Sequence, residues 1–367
     1  MKLRRLTGLL LSLVLLFCTG CSQSAAPRSA PSPTAEEQAL SSPPETPAET
    51  PSNQQAEETV SAEKNAPAPA QEASFTLCAY LPVSSMTQGA AAVAEEYAGS
   101  IAALDYLVLN TGAYWDENGA LSLSDELLDA IETLQGKTAL WCTVNPQGAL
   151  IREGTAGQSI DSPQERQALA QEIAAFAEQY GLAGIDIDWE FPLDDEWEDF
   201  STFLIALKDT LSRNSEPVAL SLALYPEEIA LSEEAIAALD RIHVMAYDQF
   251  DSEGFHSTMQ AAEDAVAYFT ALGASPQQLV LGIPAYGRPL DGSAQWVFYK
   301  DIDPESISGE NPDLVGDISF NSAATAAQKT QYALEQNLGG VMVYQLLCDR
   351  NDQDALILAC ANMAENA

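Results

Sequence analysis

Residues 184–192 read Gly184-Ile185-Asp186-Ile187-Asp188-Trp189-Glu190-Phe191-Pro192, three carboxylates alternating with Ile185, Ile187 and Trp189. A β-strand sends successive side chains to opposite faces, so this pattern puts Asp186, Asp188 and Glu190 on one face and bulky apolar groups on the other. Residues two apart on a strand lie roughly 6–7 Å from each other, near enough that ionising one carboxylate opposes ionising the next. At least one of the three is therefore expected to hold a proton near neutral pH. An edge strand with solvated carboxylates is the plainer alternative. Against it stand the wholly apolar opposite face and the long amphipathic segment that precedes the strand, so the cluster is read as a candidate functional site.

That preceding segment predicts a helix over Pro163–Tyr180. Ser162 and Glu165 form a capping box, Pro163 takes the first helical position, Leu169, Ile173, Phe176 and Tyr180 form the apolar stripe, and Gly181 is the stop. Short apolar strands are predicted at 75–80, 106–110, 138–144, 184–190, 218–224, 242–247, 279–286 and 340–346, with helical stretches between them. Strand and helix alternating at intervals of about 25–45 residues predict parallel strands joined by right-handed crossovers. Eight such units over about 300 residues fit a (β/α)8 TIM barrel of the α/β class. An open doubly wound sheet would carry a Gly-rich phosphate fingerprint after its first strand, and none is present.

The barrel is assigned to residues 74–367. Ahead of it, residues 22–73 are rich in Pro, Ala, Ser, Glu and Gln and read as a disordered linker that cannot offset its own ordering entropy. Residues 1–21 read as an export signal: Lys2, Arg4 and Arg5, an apolar run from Leu9 to Phe17 too short to span a bilayer, then Cys18-Thr19-Gly20-Cys21. That ending resembles a bacterial lipoprotein signal, with Cys21 as the lipidated residue, and implies a membrane lipid anchor facing the extracellular side. An ordinary secretory signal is the alternative.

The chain holds 54 acidic and 15 basic residues, a net charge of -39, which disfavours nucleic acid as a partner because a basic phosphate-binding patch is missing. Cys78, Cys142, Cys348 and Cys360 show no CxxC pairing and read as buried small hydrophobes rather than metal ligands or a disulfide framework, with a single disulfide left open. No cofactor or metal is expected, and a monomer is.

Barrel active sites lie at the C-terminal ends of the strands. Here those ends carry Asp188 and Glu190, then Met245, Tyr247 and Asp248, then Tyr286 and Arg288, then Tyr344 and Gln345. At this point the chain resembles the family 18 glycoside hydrolases, the chitinase family. Residues 183–190 resemble its DxxDxDxE signature, Met245-Ala246-Tyr247-Asp248 its MxYD motif, residues 281–288 its seventh-strand segment and residues 339–343 the start of its eighth strand. The resemblance implies cleavage of β-1,4 linkages in N-acetylglucosamine-containing glycans by a substrate-assisted retaining mechanism. It implies Glu190 as general acid/base, Asp188 as the group that orients the acetamido N–H, Asp186 as the support below, and Tyr247 as donor to the acetamido oxygen. Met245, Asp248, Tyr286, Arg288, Tyr344, Tyr80 and Trp115 are expected to bind the sugar.

Three positions depart from the family pattern. Ala183 stands where the signature begins with Asp, which predicts a less rigid strand. Tyr344 replaces a common Trp in the floor. The third strand, residues 140–145, lacks the SxGG pattern. The segment from Pro289 to Ser319 is too short for the α+β domain often inserted there, and predicts a shallower rim carrying exposed Trp296, Phe298 and Tyr299. Two other readings stay open on sequence: a catalytically silent, chitolectin-like surface protein, and a hydrolase that remodels peptidoglycan or the spore envelope.

Overall fold

The computed structural model describes residues 75–190, 192–307 and 311–367. The signal, Cys21 and the linker therefore lie outside the described residues. Eight strands form the central sheet: β1 (Thr76–Pro82), β2 (Tyr106–Trp115), β3 (Ala139–Pro146), β4 (Gly184–Ile187), β5 (Ala219–Leu224), β6 (Arg241–Val244), β7 (Leu279–Pro284) and β8 (Gly340–Tyr344). Each is parallel to the next, and β8 returns to β1, so the barrel has no free edge. Helices follow every strand, as expected for a (β/α)8 barrel.

The helix Pro163–Tyr180 has the expected bounds. The Ser162 hydroxyl accepts the Glu165 N–H, the Glu165 carboxylate accepts the Ser162 N–H, and Gly181 closes the helix at φ 62°. Strand ends depart further from expectation. β2 continues past Asn110 to Trp115 because its last three residues pair with Leu121–Leu123 in an antiparallel hairpin. β4 stops at Ile187, and Asp188, Trp189 and Glu190 follow it outside regular secondary structure.

Alternation along the strands divides the interior in two. Outward residues such as Ile185, Ile187, Leu220, Leu222 and Leu281 pack with the helices in one apolar layer. Burying a side chain of that kind contributes roughly 1.5–3 kcal/mol. Inward residues form a second, smaller cluster of Cys78, Tyr80, Tyr106, Val108, Trp141, Tyr247, Val280 and Met342. Low in it, Trp141 stacks on Tyr106 with centroids 4.3 Å apart. It occupies space that Gly184 leaves open: a Cβ there would stand 2.1 Å from the indole.

After β7 the chain does not form an open rim. Tyr286–Pro289, Val297–Phe298, Leu314–Val315 and Ile318–Ser319 build a small antiparallel sheet, far short of a large inserted domain. Tyr299, expected to be exposed, is buried there against Phe320, whereas Phe298 is exposed. Cys78, Cys142, Cys348 and Cys360 are all buried and free. No helix among the described residues is long and apolar enough to cross a membrane.

Candidate active site

The carboxylate row of β4 runs from the barrel interior up to its C-terminal mouth. Asp186 is wholly buried (0% exposed) and surrounded by donors. The Tyr80 and Thr143 hydroxyls donate to its Oδ2 at 2.8 and 3.1 Å, and the Ser221 hydroxyl to its Oδ1 at 2.5 Å. Three hydroxyls thus fix the position of this carboxyl group. Two residues on, Asp188 is held by its own backbone, whose N–H donates to the Asn145 side-chain carbonyl at 2.8 Å. Burial, then the charges of Glu190 and Asp186, push the Asp188 carboxyl well above the usual range, with Asn145 acting weakly the other way. Glu190 is pushed up to about 7, first by burial and then by the Asp248 charge. A buried lower carboxylate thus sits beneath two groups whose environments favour their protonated forms, an arrangement suited to general acid chemistry near neutral pH.

Aromatic rings line the adjoining wall. Tyr344 and Tyr247 stack with centroids 5.5 Å apart, Tyr80 lies 5.7 Å below Tyr344, and Tyr286 meets Tyr247 edge-on at 6.3 Å. Trp296 lies flat on Tyr286, at 3.8 Å and 3° between planes, and meets Tyr344 edge-on. Met245 is half-buried against the same cluster. Asp248 holds a left-handed backbone at φ 61°, fixed by its N–H donating to His256 Nε2 at 2.9 Å. Its carboxylate receives the Tyr286 hydroxyl at 2.7 Å and pairs with Arg288. Arg288 also covers the Phe250 ring at 5.2 Å.

Glu190, Asp188, Tyr247, Asp248, Met245 and Tyr344 therefore converge at one mouth, with Asp186 below them. Three expectations for sugar contact need correction. Trp115 is fully buried, donates its indole N–H to Ser159 at 2.9 Å, and packs on Trp189 and Phe203, because its place on β2 points it outward under the helices. Tyr80 has its hydroxyl spent on Asp186 and its ring under Tyr344, so it supports the floor from within. Tyr286 is covered by Trp296, which instead offers the partly exposed ring. Ala183 is exposed at the far end of the barrel, where its N–H donates to Leu140 and its carbonyl accepts from Ala219. The third strand, though lacking SxGG, supplies the site with Thr143 and Asn145.

Sequence reasoning passed over His243, Ser221 and Asn145. His243 shares strand parity with Met245 and Tyr247, a signal that marks all three as inward. No group of His, Cys, Asp or Glu among the described residues is arranged to hold a metal ion.

The family model for glycosyl hydrolases family 18 matches residues 153–349, which carry the carboxylate row, Tyr247, Asp248 and Arg288. Over 181 residues the chain is 27% identical to "Probable chitinase 2" of Drosophila melanogaster, covering 44% of this chain and 37% of that protein. The chain spans about half the length of the curated relatives it matches. Among solved structures it superposes on the family 18 chitinase ChiB of Flavobacterium johnsoniae with a TM-score of 0.67 at 22% identity, covering 80% of this chain and 94% of that one. A chitinase variant of Cycas revoluta, solved in complex with (GlcNAc)4, superposes with a TM-score of 0.60 at 20% identity, covering 78% of this chain and 99% of that one.

Proposed function

The chain belongs to the glycosyl hydrolases of family 18, and we propose that it is an active glycosidase that cleaves β-1,4 linkages of N-acetylglucosamine-containing glycans such as chitin oligosaccharides. The observation that carries this reading is the state of Glu190, whose carboxyl is raised to about 7 at the mouth of the barrel beside a protonation-prone Asp188. In that state Glu190 protonates the leaving glycosidic oxygen. The acetamido carbonyl of the sugar, rather than a protein group, attacks the anomeric carbon, giving a bicyclic oxazolinium and retention of configuration. The Asp188 carboxyl oxygen accepts the acetamido N–H and so orients the group for attack, and Tyr247 donates to the acetamido oxygen. Glu190, now a carboxylate, then takes a proton from the water that opens the intermediate. Tyr344 and Trp296 supply ring faces for the sugar, and the Arg288–Asp248 pair holds one wall.

Lipidation of Cys21, membrane anchoring and an extracellular position belong to this proposal and rest on the sequence pattern alone.

Turnover of a chromogenic chitobioside or chitotrioside by the full chain, and its loss in Glu190→Gln with oligosaccharide binding retained, tests the assignment. Unaltered turnover in that variant removes Glu190 as the acid. A wild-type chain that binds every N-acetylglucosaminide offered and hydrolyses none is a lectin instead.

A further inference from the structure

One polar ring inside the barrel has no part in the chemistry above. His243 lies on β6, is 0% exposed, and points inward among the Tyr80, Tyr106 and Trp141 rings. Both of its nitrogens are engaged. Nδ1 lies 2.6 Å from the Tyr80 hydroxyl oxygen and 3.3 Å from Asp186 Oδ1, and Nε2 lies 2.9 Å from the Tyr106 hydroxyl oxygen.

Counting protons fixes the direction of these bonds. The Tyr80 hydroxyl has one hydrogen and faces two acceptors, Asp186 Oδ2 at 2.8 Å and His243 Nδ1. A bond to a carboxylate is roughly twice as strong as one between neutral groups, so the hydrogen goes to Asp186. Nδ1 must then carry its own hydrogen and donate it to the Tyr80 oxygen, since two facing lone pairs would repel. Nε2 is left as the acceptor of the Tyr106 hydroxyl. The bonds run in one direction, from Tyr106 through His243 and Tyr80 to Asp186.

We propose that His243 is a positioning residue of this site: its Nδ1–H locks the Tyr80 hydroxyl onto Asp186 and so holds that carboxyl group in place beneath Asp188. The inference rests on the hydrolase reading for its consequence and on hydrogen-bond geometry for its substance. Without the ring, Tyr80 loses the donor that orients its hydroxyl, and the bond that ties the Asp186 carboxyl in place is weakened. Asp188, two residues further along the same chain, is then less firmly placed to receive the acetamido N–H, which affects the chemical step more than binding. The titratable groups around the ring are Tyr80 and Cys78 of β1, Tyr106 of β2 and Asp186 of β4, with Arg241 two residues earlier on its own strand.

The chain holds two histidines, so ¹⁵N-histidine labelling of the full-length wild type gives two ring systems, and His256→Gln assigns them. At pH 7 the His243 ring is expected with Nδ1 protonated and Nε2 bare; the opposite tautomer overturns the proposal. His243→Phe keeps a ring against Trp141 and Tyr106 but removes both nitrogens. On the chitobioside its kcat is expected to fall about 10- to 100-fold with KM within about twofold, and the pH profile of kcat/KM to move by about half a unit or more. His243→Gln, whose amide can donate to Tyr80, is expected to recover part of that loss. A folded His243→Phe with wild-type kcat and a superimposable pH profile overturns the proposal. Should the phenylalanine variant fail to fold, the tautomer decides. A wild type without turnover counts against the hydrolase reading and leaves the tautomer result standing.

Discussion

The two faces of β4 open into interiors of opposite character. Ile185, Ile187 and Trp189 enter an apolar layer of aliphatic and aromatic side chains shared with the helices, where burial of surface dominates. Asp186, Asp188 and Glu190 enter a narrow space where nearly every neighbour is a hydroxyl, an amide, a carboxyl or an aromatic ring. The outer layer is where stability accumulates, at roughly 25 cal/mol per Å² of apolar area. The inner one fixes where protons reside, and burial there raises carboxyl pKa values at the expense of stability. One strand serves both because its period is two.

That contrast is open to attack from either side. The largest effect belongs to the inner face: Glu190→Gln is expected to lower kcat by about 10³-fold or more with oligosaccharide binding retained, as measured by turnover and calorimetry. In the wild type, kcat/KM should fall as pH rises through about 7, where Glu190 loses its proton. On the outer face, Leu222→Ala should cost about 2–5 kcal/mol in denaturant unfolding while activity per folded molecule stays level. A stability effect of the opposite sign is expected for Glu190→Gln. The ordinary carboxyl value of 4.5 rises to about 7 on folding, so the folded state binds more protons between those values. Stability is thus lost as pH climbs through that window, and the neutral amide escapes the loss. The variant should be more stable than wild type by on the order of 1–3 kcal/mol at pH 8 and equal to it at pH 4. Trp296→Ala should raise KM for a chitotrioside about three- to tenfold, as the loss of one stacking ring implies, and kcat should change less. The smallest effect is assigned to Ala183→Asp, whose site is exposed and held by backbone bonds: stability within about 0.5 kcal/mol of wild type, with turnover unchanged.

Legibility in the sequence followed the range of the interactions. The helix Pro163–Tyr180 was readable to the residue because its signals, Ser162 with Glu165 and Gly181, act within a turn or two of the chain. Alternation in residues 184–190 gave the faces of β4 although the strand itself ends at Ile187. Trp115 was expected at the sugar, and its burial was not readable because its partners Ser159, Trp189 and Phe203 come from distant parts of the chain. The covering of Tyr286 by Trp296 depends on a sheet of four very short strands with no strong local pattern. His243 went unread for a related reason: a single imidazole in an apolar strand carries no motif, and its meaning lies in Tyr80, Tyr106 and Asp186, each on a different strand.

The missing side chain at Gly184 has a consequence for how this barrel can change over generations. Trp141 fills the place a Cβ would take, and the Tyr106 ring that contacts His243 rests on Trp141. A substitution at Gly184 alone drives an atom into the indole, and a smaller residue at Trp141 alone leaves a void of most of a bicyclic ring. Each single step is costly, whereas exchanging the large residue and the absent one together keeps the volume. Homologous lineages are therefore expected to keep glycine and tryptophan as a pair or replace both, so that covariation between these two positions records the packing beneath the site.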